Sequence, residues 1–70
     1  MPTQAQLRET AIDTIVRSQK ADRAGNLSDP VHRQVPAAIE AACAAGCNGS
    51  DIQREADRRY AAWLVSNAGR

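Results

Sequence analysis

The sequence has few of the residues that build a large hydrophobic core. It has 70 residues, no phenylalanine, one tryptophan and one tyrosine, and much of its 43% hydrophobic content is alanine. Because a chain this short buries only about 60% of its unfolded surface, and alanine adds little to that, we expect a thin core and marginal stability. Small helical chains of this kind often gain stability from a partner or from a second copy of themselves.

An excess of charge of one sign is also absent. Nine Lys and Arg stand against eight Asp and Glu, for a net charge of +1. The chain as a whole therefore gives no electrostatic indication of binding to nucleic acid or to a membrane surface, and any basic site must be local. No apolar run approaches the roughly 18 residues of a membrane span, and the first residues lack the pattern of a signal peptide, so we expect a cytoplasmic protein.

Groups for metal binding and catalysis are scarce. His32 is the only histidine, and Cys43 and Cys47 are the only thiols. A four-ligand zinc site within one chain is therefore not expected, and a zinc site between subunits would need ligands from two copies. The sequence has no paired carboxylate motif, no Cys–His signature and no glycine-rich phosphate loop. We predict a non-catalytic protein with no cofactor, no metal and no small-molecule substrate.

The two cysteines have three interpretations. A disulfide would require the chain to bend at Gly46 until the two Cα atoms lie within about 6.8 Å, and it would not persist in a reducing cytoplasm. A redox switch would lose two hydrogens on mild oxidation and change its assembly. We favour a structural interpretation, with Cys43 as a small core side chain and Cys47 as an apolar plug in a turn, because free cysteine is often buried.

Apolar periodicity predicts an all-α fold, a compact three-helix domain that spans residues 1–70. The first helix begins with a capping box from Thr3 to Gln6, runs to about Ala24 and ends at Gly25. Its apolar face is formed by Leu7, Ala11, Ile12, Ile15 and Val16.

The segment before the second long helix contains two prolines. Because Pro36 has no N–H and collides with the carbonyl four residues earlier, we predict a short extra turn over Pro30–Gln34, with His32 on the surface, and a fresh helix over Pro36–Ala45. A kinked continuous helix is the alternative. Since Glu40 is its only polar residue, we expect this alanine-rich helix to be central.

The third helix is predicted to begin at Ser50, where Ser50 and Gln53 match a second capping box. Its apolar stripe comprises Ile52, Ala56, Tyr60, Trp63 and Leu64. Trp63 is expected at the centre of the core, and Glu55 is placed to pair with Arg58 or Arg59 on the polar face.

A partial helix-turn-helix pattern overlaps this region. Ala42, Gly46, Cys47 and Ile52 occupy the small, turn-glycine and apolar positions of that motif. Glu55, however, stands where an apolar residue is expected, and "CNGS" lengthens the turn. In this alternative the candidate DNA contacts are Asn48, Ser50, Gln53, Arg54 and Arg58, because these side-chain types bind bases or phosphates.

The third helix also has more apolar residues than one core-facing stripe needs. Aromatic residues and arginine are enriched at protein interfaces, so the interface candidates are Arg58, Arg59, Trp63 and Val65. We favour a small regulator of the inhibitor or adaptor type that binds another protein, as a homodimer. A helix-turn-helix DNA-binding regulator is the alternative. A chromosomal regulator and an accessory protein of a phage or plasmid both fit this description.

Overall fold

The chain forms a three-helix bundle in a computed structural model that describes residues 1–67. The helices are α1 (Gln4–Arg23), α2 (Val31–Ala44) and α3 (Gly49–Asn67), and the described residues include no strand. The prediction of an all-α fold with three long helices is confirmed. The predicted domain extends to Arg70, and residues 68–70 lie outside the described part of the chain.

The first helix begins and ends where the sequence predicts. The Thr3 hydroxyl accepts a hydrogen bond from the Gln6 backbone N–H (3.1 Å), and the Gln6 side chain accepts one from the Thr3 N–H (2.8 Å), which completes the capping box. At the other end Gly25 has a φ of 79°. This left-handed conformation lets the Asn26 N–H donate to the Ala21 carbonyl (2.9 Å) and close the helix.

The three helices run up, down and up. Cys47, just after α2, lies against Gln4 at the start of α1, and His32 near the start of α2 binds Ser18, so α2 is antiparallel to α1. Asp51 contacts Arg8, and Trp63 contacts Lys20, so α3 runs in the same direction as α1. The end of α3 and the α1–α2 loop therefore lie at the same end of the bundle.

The central helix is α1, which contacts both of the others far more than they contact each other. The expectation that α2 is central is wrong. Alanines allow close approach, but the branched side chains of α1 remove more apolar area from water and so occupy the centre. The buried apolar residues of the cluster are Ala11, Ile12, Ile15, Val16, Ala42, Ile52 and Ala56.

The second helix is continuous through Pro36, so the predicted separate turn before it is wrong, and the alternative was right that one helix spans Pro36. Contacts outside the helix hold its first turn in place. The Asp29 carboxylate accepts a hydrogen bond from the Val31 N–H (2.9 Å), and Val31 is buried. The His32 ring is half-buried rather than on the surface, and it bonds Ser18 Oγ (2.6 Å) and the Asn26 carbonyl (2.8 Å).

The third helix begins one residue earlier than predicted, and its cap is Asn48 rather than Ser50. The Asn48 side-chain oxygen accepts a hydrogen bond from the Asp51 N–H (3.1 Å). Four residues, Ala45–Asn48, therefore connect α2 to α3, and Gly46 turns the chain with a φ of 101°. A side chain at Gly46 would also collide with Gln4, since a Cβ there would lie 2.9 Å from its amide nitrogen.

Two residues expected in the core lie elsewhere. Trp63 is half-buried at the edge of the bundle, because the centre is filled by Ile12 and Ile52. Cys43 is exposed, since its neighbour Ala42 takes the inward position and Cys43 lies about 100° further round the helix. Cys47 does pack against the core as predicted. None of the helices within residues 1–67 is long and apolar enough to cross a membrane.

Candidate interaction surface on the third helix

The first half of α3, Gly49–Arg59, is fastened to α1. Ile52 and Ala56 are fully buried in the core. Polar bonds flank them: Asp51 pairs with Arg8 (3.0 Å), Asp57 accepts from the Gln19 amide (2.9 Å), and Arg59 pairs with Glu9. The amphipathic pattern of this half therefore matches its surroundings, since its apolar side chains lie in the core and its polar side chains bond to α1 beside them.

The second half of α3, Tyr60–Asn67, contains six apolar residues in a row, Tyr60–Val65. A run of this length has no polar side, and a helix that is apolar all round is normally covered all round. The bundle covers only one side of it: Tyr60, Trp63 and Leu64 are half-buried, whereas Ala61, Ala62 and Val65 are exposed. Val65 is 80% exposed, so this half presents apolar surface to solvent.

Trp63 faces the end of α1. Its ring stacks on Tyr60 with centroids 5.9 Å apart, and the Lys20 ammonium lies 4.9 Å from the Trp63 ring centroid. The cation and the second ring shield part of the indole from water. The contact between Lys20 and Trp63 is not predicted from the sequence, because the two residues are 43 positions apart on different helices and no local pattern indicates it.

The interface candidates divide between two faces of α3. Arg59 and Trp63, four residues apart, turn toward α1, while Arg58 and Val65, seven residues apart, turn away from it. The structure therefore does not bring Trp63 and Val65 together as one patch. Arg54 and Ala61 share the side of Arg58 and Val65. The outward face, called the outer stripe below, comprises Arg54, Arg58, Ala61 and Val65, all exposed.

Glu55 links the two arginines that follow it, as the sequence predicts. Arg58 donates to Glu55 from Nε (3.1 Å) and Nη2 (2.8 Å), and Arg59 approaches the same carboxylate at 3.5 Å. The bond from Arg58 lowers the pKa of Glu55 below its ordinary value and raises the pKa of Arg58. The bond from Arg59 likewise lowers the pKa of Glu9. Within residues 1–67, Arg58 Nη1 makes no hydrogen bond.

The candidate DNA contacts are mostly occupied by bonds within the chain. Asn48 caps α3, Gln53 donates to Asp57 (2.9 Å), and Arg58 binds Glu55. Ser50 and Arg54 are exposed, and Arg54 has no ion pair with any residue in the described range. Arg54 is thus the DNA candidate whose charge is most available to a partner.

Other features of the surface are less organised. An open crevice of about 380 Å³ lies beside the end of α1, lined by Arg17, Lys20, Ala21, Ala24, Asn26, Asp29 and Val31. Sites for small ligands enclose most of the ligand, and this crevice is open to solvent. Cys43 and Cys47 are free thiols. Residues 1–67 contain no group of three or more His, Cys, Asp or Glu side chains placed to hold a metal ion.

No protein-family model matches the chain, and comparisons with curated proteins and with solved structures give no match.

Proposed function

We propose that the protein is a small non-catalytic regulator that acts by binding another protein molecule through the second half of α3, and that it is a homodimer. One observation carries the proposal. The six consecutive residues Tyr60–Val65 give this part of α3 apolar side chains on every side, and the bundle covers only one of those sides. A second protein surface packed on the open side would bury the apolar side chains that the bundle leaves exposed.

The composition of the exposed side supports an interface. Covering a side chain such as Val65 contributes about 1.5–3 kcal/mol when the burial is complete. Arg54 and Arg58 precede the exposed apolar residues on the same side of α3, and arginine is enriched at interfaces, where its flexible stem packs and its guanidinium donates hydrogen bonds. Leu27 is also exposed, but it stands alone in the α1–α2 loop, and single exposed apolar residues are ordinary.

Sedimentation equilibrium over a wide range of protein concentration tests the homodimer. We expect a reversible monomer–dimer equilibrium, and a urea midpoint that rises with protein concentration because assembly stabilises the folded chain. A chain that stays monomeric at all concentrations, with a midpoint independent of concentration, would contradict the homodimer.

DNA binding is a second candidate, and the α2–α3 connection favours it. The turn Ala45–Asn48 has four residues with a left-handed glycine, a length and a residue type that the helix-turn-helix pattern uses. Arg54, on the exposed side of α3, would contact DNA. Fluorescence anisotropy of a random-sequence duplex at low and at moderate salt tests this candidate. Binding that weakens steeply with salt, and less steeply in Arg54→Ala, would support it, and no binding at low salt would remove it.

A further inference from the structure

The outer stripe of α3 is polarised along the helix. Its two arginines, Arg54 and Arg58, come first, and its apolar residues, Ala61 and Val65, follow. The last turn, Leu64–Asn67, contains no basic side chain. Because the carbonyl groups at a helix C-terminus carry partial negative charge, this turn attracts a cation, and no basic side chain within residues 1–67 lies in it. One end of the outer stripe thus has two cations, and the other end has a helix terminus that attracts a cation.

We propose that two copies of the chain pair through their outer stripes, with the two α3 helices antiparallel and Ala61 at the twofold axis. This arrangement rests on the proposed homodimer and specifies its geometry. A twofold interface brings the same surface of both copies together, so the surface must complement itself when reversed. A stripe with arginines at one end and apolar residues at the other meets that condition in the antiparallel orientation.

The antiparallel pairing places opposite electrostatic features together. Arg58 lies three residues before Ala61 and Leu64 lies three residues after it, so Arg58 faces the last turn of the partner's α3. Arg58 binds Glu55 through Nε and Nη2, which leaves Nη1 to donate to a carbonyl of that turn. Val65 packs on the aliphatic stem of the partner's Arg58. Ala61 is small enough to let the two helices approach closely at the axis.

The parallel orientation is disfavoured by the same side chains. It would set Arg54 beside the partner's Arg54 and Arg58 beside the partner's Arg58, and like charges directly opposite each other repel. It would also leave both last turns without a cation from the described part of either chain.

Cysteine crosslinking tests the orientation and the register together. The native thiols are first removed as Cys43→Ser and Cys47→Ala, and single cysteines are then introduced at exposed positions of α3. Air oxidation catalysed by copper phenanthroline should convert Ala61→Cys to a disulfide-linked dimer at least about tenfold faster than Ala62→Cys, because only position 61 meets its own copy within disulfide range. Ala62 is exposed like Ala61 but lies about 100° round the helix, so it is the matched control.

A mixed sample tests the orientation separately. Chains with Arg58→Cys and chains with Val65→Cys should crosslink to each other rather than to themselves. Efficient self-crosslinking at positions 58 and 65 would indicate parallel helices and overturn the proposal, as would faster crosslinking at position 62 than at 61. A chain that is dimeric by sedimentation but does not crosslink at position 61 would overturn this arrangement while leaving the homodimer intact. Circular dichroism confirms that each variant remains helical.

Discussion

The first half of α3 has two apolar side chains, Ile52 and Ala56, set four residues apart among polar and charged ones, whereas its second half contains six apolar residues in succession. In the first half Ile52 and Ala56 are fully buried against α1. Ion pairs and a hydrogen bond from a side-chain amide lie beside them. In the second half no position is fully buried, and Val65 is 80% exposed. The same helix therefore serves the chain's own core where its pattern is amphipathic, and exposes apolar surface where that pattern is lost.

The two halves also differ in how they are attached. The first half has hydrogen-bonded contacts to Arg8, Glu9 and Gln19 of α1. The second half is attached to α1 through the contact of Lys20 with Trp63 and the packing around it. Substitutions in the first half should thus act on folding, and substitutions on the open side of the second half should act on association.

The largest effect is expected for Ile52→Ala. Ile52 is fully buried, so its truncation removes apolar contacts and leaves a cavity, at a cost of about 2–5 kcal/mol in the free energy of unfolding. Urea unfolding followed by circular dichroism at fixed protein concentration measures it. Leu64→Ala, in the half-buried second half, should cost less than half as much. Equal losses at the two positions would show that both halves contribute alike to the core.

Val65→Asp should weaken self-association with little effect on folding. A charge at this exposed position is solvated in the monomer but would be desolvated in the dimer, so we expect the dissociation constant to rise at least about tenfold, or 1.4 kcal/mol. Sedimentation equilibrium provides the measurement. Thr10→Asp adds the same charge at an exposed position of α1, away from the outer stripe, and should leave the dissociation constant within about twofold.

Asn48→Ala should destabilise the folded chain by about 1 kcal/mol, because it removes the side chain that caps α3. Ser50→Ala, at the position that the sequence indicated as the cap, should change the free energy of unfolding by less than about 0.5 kcal/mol. Urea unfolding of both variants distinguishes the two assignments. A larger loss of unfolding free energy for Ser50→Ala than for Asn48→Ala would show that Ser50 is the N-cap of α3.

The smallest effect is a pH dependence that arises from Glu55 and Glu9. Their pKa values are lowered in the folded state by bonds from Arg58 and Arg59, so their contribution to stability is complete above the ordinary glutamate pKa of about 4.3 and is lost as the pH falls through the lowered values. Wild type should therefore lose more stability than Glu55→Gln during acidification. The difference should shrink at high salt, since exposed ion pairs are screened. An identical acid profile for both chains would contradict it.

The number of helices, the start of α1 and its buried face follow directly from local patterns. Each of these features depends on a local signal that spans only a few residues. The signals are the capping box at Thr3, the apolar spacing from Leu7 to Val16, and the glycines after α1 and α2. The candidate surface was only partly predictable. Val65 was recognised as surplus and Arg58 as an interface residue, but Trp63 was assigned to the wrong place in the bundle. Its position depends on a contact with Lys20 of another helix, and no local sequence pattern predicts that contact.

The sequence by itself determined the three helices, and it placed both ends of α1, the end of α2 and the start of α3 to within a residue or two, because caps, turn glycines and periodicity act over short distances. It also determined that the second half of α3 has no polar side. Only the tertiary structure decided that α1 rather than α2 is central, that α2 continues through Pro36, and that Arg58 and Val65 face solvent while Arg59 and Trp63 face α1. Each of these outcomes is set by contacts between residues far apart in the chain, where packing and bonds from neighbouring helices outweigh local preference.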